Sequence, residues 1–278
     1  MLKIVTDSAA NLTAEEAKDM GIDVLPFPVI FGDKTYLDGK DLSVDEFYGK
    51  LVSDPSHPHT SQLNVAEFEE LFSSVSPDEE LLIILLSSAL SGTVNSAKLA
   101  KENLGLDNVY IYDSLGATVM EKMLVLAAYK NRDKSAKEVI ALLDDLRSRM
   151  ELYAIVDTLD YLYKGGRLKK STAAIGKLLR IKPIVTVSHD GKVELCGKAV
   201  GSALAIKNVA KRVEAAGADP EYPVMYLYSA DDALCRRMIK AVTPETFDND
   251  IARASNLCPV IGVHIGPGAA GVCFIRKR

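Results

Sequence analysis

The chain has few of the residues that metal centres and disulfide frameworks require. Its four cysteines all fall in the last third of 278 residues and form no CxxC pair, so their spacing fits neither a zinc site nor a dense set of disulfides. The four histidines form no HExxH motif and no cluster with cysteine, so we expect no metal site. This cysteine usage predicts reduced thiols in a cytoplasmic protein.

Long apolar runs and an excess of positive charge are also missing. The apolar stretch near the start is bracketed by Lys3 and Asp7 and is too short to cross a bilayer. We therefore predict neither a signal peptide nor a membrane span. The formal net charge is −5, whereas a nucleic-acid partner usually requires a basic face. These absences predict a cytoplasmic protein that does not bind nucleic acid.

Three common enzyme motifs are absent as well. The sequence contains no GxxxxGK[ST], no GxSxG and no GxGxxG that joins a strand to a helix. A phosphate-binding loop, a dinucleotide fold and a hydrolase nucleophile turn are therefore not indicated, and we expect no cofactor. Serines and His264 could still meet in space.

What the sequence does contain is the alternation of an α/β protein. Hydrophobic residues make up 48% and charged residues 26%, which is typical of a globular domain. Short apolar runs alternate with helix-like segments, and the run LLIILL at 81–86 is typical of a strand covered on both faces. After about residue 150 the pattern changes to short strands with hairpin-like turns such as 189–192. The stretch 258–275 is interpreted as two strands joined by a glycine-rich turn.

This change of pattern predicts two domains. Residues 1–150 would form an α/β domain with a mostly parallel sheet and flanking helices, and residues 151–278 a smaller α+β domain. In the first domain Asp7, Ser87 and Asp113 each follow a predicted strand. Ligands of open α/β sheets bind at the carboxyl edge of the strands, so we expect the binding site there.

The segment SSALSGT at 87–93 is a candidate anion site at that edge. A helix that starts near Gly92 would present free N–H groups and its positive dipole end, and Ser88, Ser91 and Thr93 would add hydroxyl donors. A phosphate or a carboxylate would both fit such a site. A simpler alternative is that Ser91 or Thr93 only caps the helix.

Three other polar segments are less distinctive. Thr60, Ser61 and Gln62 form a second hydroxyl cluster in a proline-bounded loop. His264 follows an apolar run and should be at least half buried, as a site residue or as a core imidazole. The segment YKGGRLKK at 163–170 could hold a phosphate, dock an acidic partner or form a solvated turn.

Taken in order, these motifs resemble the DegV family. The matching segments are TDSAANL at 6–12, TSQ at 60–62, SSALSGT at 87–93, DS at 113–114, LDYLYKGGRL at 159–168, KP at 182–183 and IGVHIGPGAAGV at 261–272. The resemblance covers essentially the whole chain, as one unit of about residues 2–277. Leu63 departs from the pattern, because the family commonly has proline after the TSQ triplet.

The resemblance implies a lipid carrier with no catalytic residue. A long-chain fatty acid such as palmitate would lie between two α/β domains, with its carboxylate contacting Thr60 and Ser91. The same resemblance implies that Ser61, Gly92 and Thr93 line the pocket and that His264 acts close by, directly or through water. It also implies a partner, a fatty acid kinase that phosphorylates the carboxyl group for phospholipid synthesis. Arg167 would be the docking residue for that kinase, on a turn that does not line the tunnel.

Two other classes of function stay open at this stage. An enzyme could act on a small phosphorylated or carboxylated substrate at the same edge, with Ser91 or His264 as the reactive group. Such an enzyme would need a polar pocket and a partner for His264, such as Asp7 or Asp113. A regulatory or interaction protein would instead use the basic turn without any ligand.

Overall fold

The computed structural model describes residues 1–54, 56–168 and 180–278. In these residues the strands are β1 (Lys3–Asp7), β2 (Asp23–Leu25), β3 (Pro28–Phe31), β4 (Lys34–Leu37), β5 (His59–Thr60), β6 (Leu81–Leu85), β7 (Val109–Asp113), β8 (Met150–Ile155), β9 (Ile181–Val187), β10 (Val193–Val200), β11 (Met225–Tyr228), β12 (Ser255–Asn256) and β13 (Ala270–Ile275). The helices are α1 (Ala14–Met20), α2 (Val44–Ser53), α3 (Val65–Ser73), α4 (Thr93–Leu104), α5 (Val119–Lys130), α6 (Ala136–Arg149), α7 (Asp160–Lys164), α8 (Ser202–Ala216), α9 (Ala233–Val242), α10 (Phe247–Arg253) and α11 (Pro259–Ile265). Among the residues described, no helix combines the length and apolar character needed to cross a membrane.

The first sheet is parallel, with strand order β2-β1-β6-β7. Every residue of β6 is buried, which confirms that the apolar run at 81–86 is a strand covered on both faces. The apolar stretch at 22–31 contains two strands, because Pro26 and Pro28 supply no N–H to a ladder. The chain leaves the first sheet after β2 and enters a separate antiparallel sheet of order β4-β3-β5.

Capping boxes start four of the helices and help to fix their positions. In α1, α2 and α6 the pairs are Thr13 with Glu16, Ser43 with Glu46 and Ser135 with Glu138, and the spacing of each pair in the sequence predicts a helix start there. The fourth box joins Asn64 and Glu67 at the start of α3. This cap holds the end of the 60–63 loop against the body of the protein.

The second sheet has six strands in the order β10-β9-β8-β13-β11-β12. All of its strands begin at Met150 or later, whereas those of the first two sheets end by Asp113. The predicted hairpin turn at 189–192 is confirmed, since β9 and β10 pair antiparallel around it. A division into domains at residue 150 agrees with this distribution of strands and stays a prediction.

The interpretation of 258–275 as two strands is wrong. Residues 259–265 form helix α11, and only 270–275 form a strand. Pro259 occupies the first helical turn, where its missing N–H costs nothing and its φ angle suits a helix. Gly262 lies so close to α2 that a Cβ would stand 2.3 Å from Phe47 Cε1, so this helix needs a glycine there. The short apolar run around Gly262 has the composition of a buried strand, and for this reason the sequence pattern predicted a strand where the helix lies.

Two buried carboxyl groups meet where β1 ends. Asp7 is fully buried and accepts hydrogen bonds from the N–H groups of Ala9 (2.9 Å) and Leu86 (2.8 Å). Burial raises the pKa of Asp7 to about 7. Burial and the adjacent Asp7 raise the pKa of Glu121, on α5, well above its ordinary range. Two adjacent carboxyls cannot both ionise in a dry interior, and Asp7 holds two backbone N–H donors, so the pair keeps its proton preferentially on Glu121.

Candidate ligand cavity

A cavity of about 350 Å³ lies between the carboxyl edge of the first sheet and one face of the second. Its walls are mostly apolar side chains of the second sheet, of helix α11 and of the segments that follow β6 and precede α5. Polar side chains concentrate at Thr60, Ser91, Arg167 and His264. The size is that of a small-molecule site, and the lining suits a ligand with an apolar body and a polar head.

The face of the second sheet leaves a shallow groove in the cavity wall. Val185, Ala154, Gly271 and Leu227 are direct register partners across four neighbouring strands. The two central residues have the smallest side chains, and a Cβ on Gly271 would stand 3.0 Å from both Ala154 Cβ and Leu227 Cδ1. Because the Leu227 side chain also leans over Gly271, the wall is lowest at Ala154.

Thr60 and His264 meet at the polar end, although 204 positions separate them in the sequence. Thr60 lies on β5, His264 lies on α11, and Thr60 Oγ1 is 2.9 Å from His264 Nε2. His264 Nδ1 is buried without a partner among the described residues, so the hydrogen belongs on Nε2 and Thr60 Oγ1 accepts it. Burial lowers the pKa of His264 to about 3, and the imidazole is neutral.

Ser91 stands on the cavity wall directly before helix α4. Gly92 is the N-cap residue, and Ser91 Oγ accepts the first helical N–H, that of Thr93 (3.3 Å), so Ser91 serves the helix start without being the N-cap itself. Thr93 is fully buried and does not line the cavity, contrary to the expectation from the sequence. Its Oγ1 lies 2.9 Å from Ser91 Oγ, on the side away from the ligand space. Ser61 and Gly92 do line the cavity.

Gln62 lines the cavity as well, although the sequence analysis named it only as part of the 60–62 cluster and gave it no role. Its side-chain Nε2 donates to Ser96 Oγ (3.0 Å), and its amide packs flat on Gly92, where a Cβ would stand 2.1 Å from Oε1. These contacts join the 60–63 loop to α4. The position beside two hydroxyl residues was the only sequence signal for this role.

Arg167 points inward. Its Nε donates to the Leu90 carbonyl (3.1 Å), its Nη1 donates to the Gly165 carbonyl (2.5 Å), and its side chain lines the cavity beside His264. Partial burial lowers the pKa of this guanidinium. The expectation that the turn stays away from the cavity is therefore wrong. The neighbouring Lys169 and Lys170 of the basic segment lie outside the described residues.

The turn that carries Arg167 also packs directly on the imidazole. Gly165 approaches His264 so closely that a Cβ would stand 2.2 Å from Nδ1. A side chain at this position would displace the ring and break its contact with Thr60. His57 and His59 are exposed, as expected for solvated loop residues.

The carboxylates needed by the enzyme alternative are engaged elsewhere. Asp7 accepts backbone N–H groups of Ala9 and Leu86, and Asp113 accepts those of Ser88 (3.1 Å) and Leu115 (3.1 Å). Neither is the partner of His264. In the part of the chain that the structure describes, Thr60 is the hydrogen-bond partner of His264 and no carboxylate orients its ring, unlike the histidine of a catalytic triad.

These features define the class of the protein as an α/β protein with a mainly apolar cavity between two sheets and a hydroxyl-rich end. The family model named DegV, described as an uncharacterised protein family, matches residues 1–277. The chain belongs to the DegV family.

Relatives from several bacteria match over nearly the full length. A DegV domain-containing protein of Caldanaerobacter subterraneus subsp. tengcongensis is 32% identical over 280 residues, which covers 99% of each chain. A fatty-acid-binding DegV family protein from Thermus thermophilus is 27% identical with a TM-score of 0.87, and 99% of each chain is covered. A stearic-acid-binding protein from Eubacterium ventriosum is 27% identical with a TM-score of 0.84, covering 100% of this chain and 99% of its own. The fold expected from the resemblance is confirmed.

Proposed function

We propose that this protein binds one long-chain fatty acid in the cavity between the two sheets. The carboxylate would lie between Thr60 and Ser91, and the acyl chain would run over the groove at Ala154. The observation that carries this proposal is the joining of two hydroxyl groups and an apolar wall in one cavity. The similarity to solved fatty-acid-binding relatives supports it.

The balance of energies agrees with such a ligand. About fourteen methylenes contribute roughly 11 kcal/mol gross on burial, before the costs of ordering and association are subtracted. A carboxylate taken out of water needs several donors, and Thr60, Ser91 and Arg167 can offer them. Apolar burial would therefore dominate affinity, while the polar end would fix which way the ligand enters.

The proposal is tested by the lipid content of the protein itself. Protein purified from bacteria should carry close to one fatty acid per chain, because the cavity is mostly apolar and has polar groups at one end. Denaturation followed by mass spectrometry of the organic extract measures this and also gives the length and unsaturation of the chain. An extract without acyl chains, together with no uptake of added palmitate or oleate, would contradict the proposal.

We further propose that the protein is a cytoplasmic carrier with no catalytic residue of its own. It would present the carboxylate to a fatty acid kinase, which forms the acyl phosphate used in phospholipid synthesis. Arg167 and His264 stand at the polar end, where a phosphoryl group would have to reach the carboxylate. This arrangement favours a carrier over an enzyme that activates its own serine.

Arg167 is where the carrier and the kinase would meet. Replacing it with glutamate should lower acyl-phosphate formation by an added kinase at least about tenfold, because a favourable contact becomes a like-charge repulsion. Lipid content should fall as well, because the new carboxylate would stand near that of the ligand. The measurements are the rate of acyl-phosphate formation, the lipid occupancy and the melting temperature.

Two control variants accompany Arg167→Glu. Lys164→Glu makes the same kind of charge change on an exposed residue of the preceding helix and should keep full occupancy. Arg167→Lys keeps the charge but loses the planar fork that reaches Leu90 and Gly165 together. If the kinase rate of Arg167→Glu equals that of the wild type once it is normalised to occupancy, Arg167 does not dock the kinase.

A further inference from the structure

Thr93 is a fully buried hydroxyl residue directly behind the cavity wall. Its side chain makes two contacts, one with the backbone of the 60–63 loop and one with Ser91. Leu63 N–H donates to Thr93 Oγ1 at 3.3 Å, and Ser91 Oγ lies 2.9 Å from the same oxygen. The backbone N–H of Thr93 also donates to Ser91 Oγ at 3.3 Å.

The number of donors and acceptors fixes the direction of these bonds. A hydroxyl group has one proton and two lone pairs. Thr93 Oγ1 has lone pairs for both Leu63 and Ser91, but among the described residues Ser91 Oγ is the only acceptor for the fully buried Thr93 proton, so Thr93 donates to Ser91. Ser91 Oγ then accepts twice from Thr93, once from its hydroxyl and once from its backbone N–H. Both lone pairs of Ser91 are occupied, and its own proton is left for the cavity.

We propose that Thr93 is a positioning residue that holds the Ser91 hydroxyl as a donor toward the ligand. This inference rests on the proposed function, since it assumes that the head group lies at Ser91. A carboxylate accepts from a donor-only hydroxyl without cost, whereas a head group that must donate finds no acceptor on Ser91. The pair would therefore select an ionised acid over the alcohol of the same length.

The position before helix α3 strengthens this arrangement in the present chain. Leu63 stands where the resemblance to the family leads one to expect proline, and a proline has no N–H to donate. In this chain Leu63 has a backbone N–H and donates it to Thr93 Oγ1. The orientation of Ser91 is thus connected to the backbone of the loop that also carries Thr60.

The experiment compares an acid and an alcohol on the full-length protein after its lipid is removed. Equilibrium binding of radiolabelled palmitate and of radiolabelled hexadecanol is measured for the wild type and for Thr93→Val, which removes only the hydroxyl. We expect palmitate to bind about tenfold more weakly to Thr93→Val and hexadecanol to change less than about threefold. Thr93→Ser keeps the hydroxyl and should restore palmitate binding.

A double-mutant cycle with Ser91 separates positioning from general structure. Ser91→Ala should weaken palmitate binding about ten- to a hundredfold. Adding Thr93→Val to Ser91→Ala should cause no further loss, because Thr93 acts through Ser91. Adding Thr93→Val to Thr60→Ala should weaken palmitate binding by nearly the same factor as Thr93→Val does in the wild type.

Three results would overturn the inference. They are an equal loss for palmitate and hexadecanol in Thr93→Val, an unchanged affinity for palmitate, and a full additional loss in the Ser91→Ala background. If Thr93→Val does not fold, Thr93→Ala removes the same hydroxyl with less crowding and is judged by the same three results. Failure of the wild type itself to bind palmitate would instead contradict the proposed function.

Discussion

Ala154→Leu is expected to displace the acyl chain while leaving the protein folded. Ala154 is a small side chain of the second sheet between Val185 and Leu227, and it lines the cavity. A leucine at this position would fill the groove above it. Steric overlap between the leucine and a sixteen- or eighteen-carbon chain should cost about 1–3 kcal/mol of binding free energy. This cost corresponds to roughly ten- to a hundredfold weaker binding. The measurements are lipid occupancy after purification, the length of the acyl chains that remain, and the melting temperature without lipid.

The melting temperature distinguishes a cavity from a packed core. In a packed core the added carbons would cost about 1–3 kcal/mol of stability, whereas in an empty groove they should cost little. Ala154→Val should show a smaller loss of long chains than Ala154→Leu. Ala203→Leu adds the same carbons to an exposed position on α8 and should change nothing. Normal content of long chains in Ala154→Leu would show that the ligand does not cross β8.

Glu121→Gln is expected to raise the stability at neutral pH, although it alters a fully buried side chain. The pKa of Glu121 is raised in the folded protein. The contribution of this side chain to the free energy of unfolding is therefore fully present below about pH 4.5 and is lost as the pH rises. At pH 7 the unfolded chain ionises this group and the folded chain does not, which costs up to about 3 kcal/mol. Glutamine removes that cost and still places an amide beside Asp7. Denaturant unfolding at a series of pH values measures the difference.

The expected result is a difference that depends on pH. Glu121→Gln should match the wild type near pH 4 and exceed its free energy of unfolding near pH 7. Glu15→Gln, at an exposed position on α1, should follow the wild-type curve throughout. A glutamine variant that is less stable by the same amount at both pH values would mean that the carboxyl of Glu121 is ionised in the fold.

Local signals in the sequence were sufficient for much of the fold. The capping boxes at Thr13, Ser43 and Ser135 place three helix starts correctly, because a cap depends on residues only three positions apart. The apolar run at 81–86 predicted a buried strand for a similarly local reason. Helix α11 was missed because its short run is apolar on nearly all sides. A buried helix and a buried strand then have the same composition.

The site was harder to predict, since its parts are far apart in the chain. Thr60, Ser91 and His264 were identified by resemblance, and the structure places all three at one end of one cavity. Whether a side chain faces the ligand or lies behind it depends on tertiary packing. For this reason Thr93, which lies behind Ser91, and Arg167, which turns inward, were both placed differently by the sequence. Gln62 acts through Ser96 and Gly92, contacts that no local pattern shows.

The position of β13 in its sheet has a consequence for synthesis of the protein. This strand comes after the other strands of its sheet in the sequence, yet it lies between β8 and β11 near the middle. A growing chain that has not yet produced residues 270–275 leaves β8 unpaired on one side and β11 detached from it. The part of the cavity wall that β8 and β13 form together, at Ala154 and Gly271, cannot form before residues 270–275 are available. A nascent chain in which residues 270–275 have not yet emerged from the ribosome should therefore be unable to hold lipid.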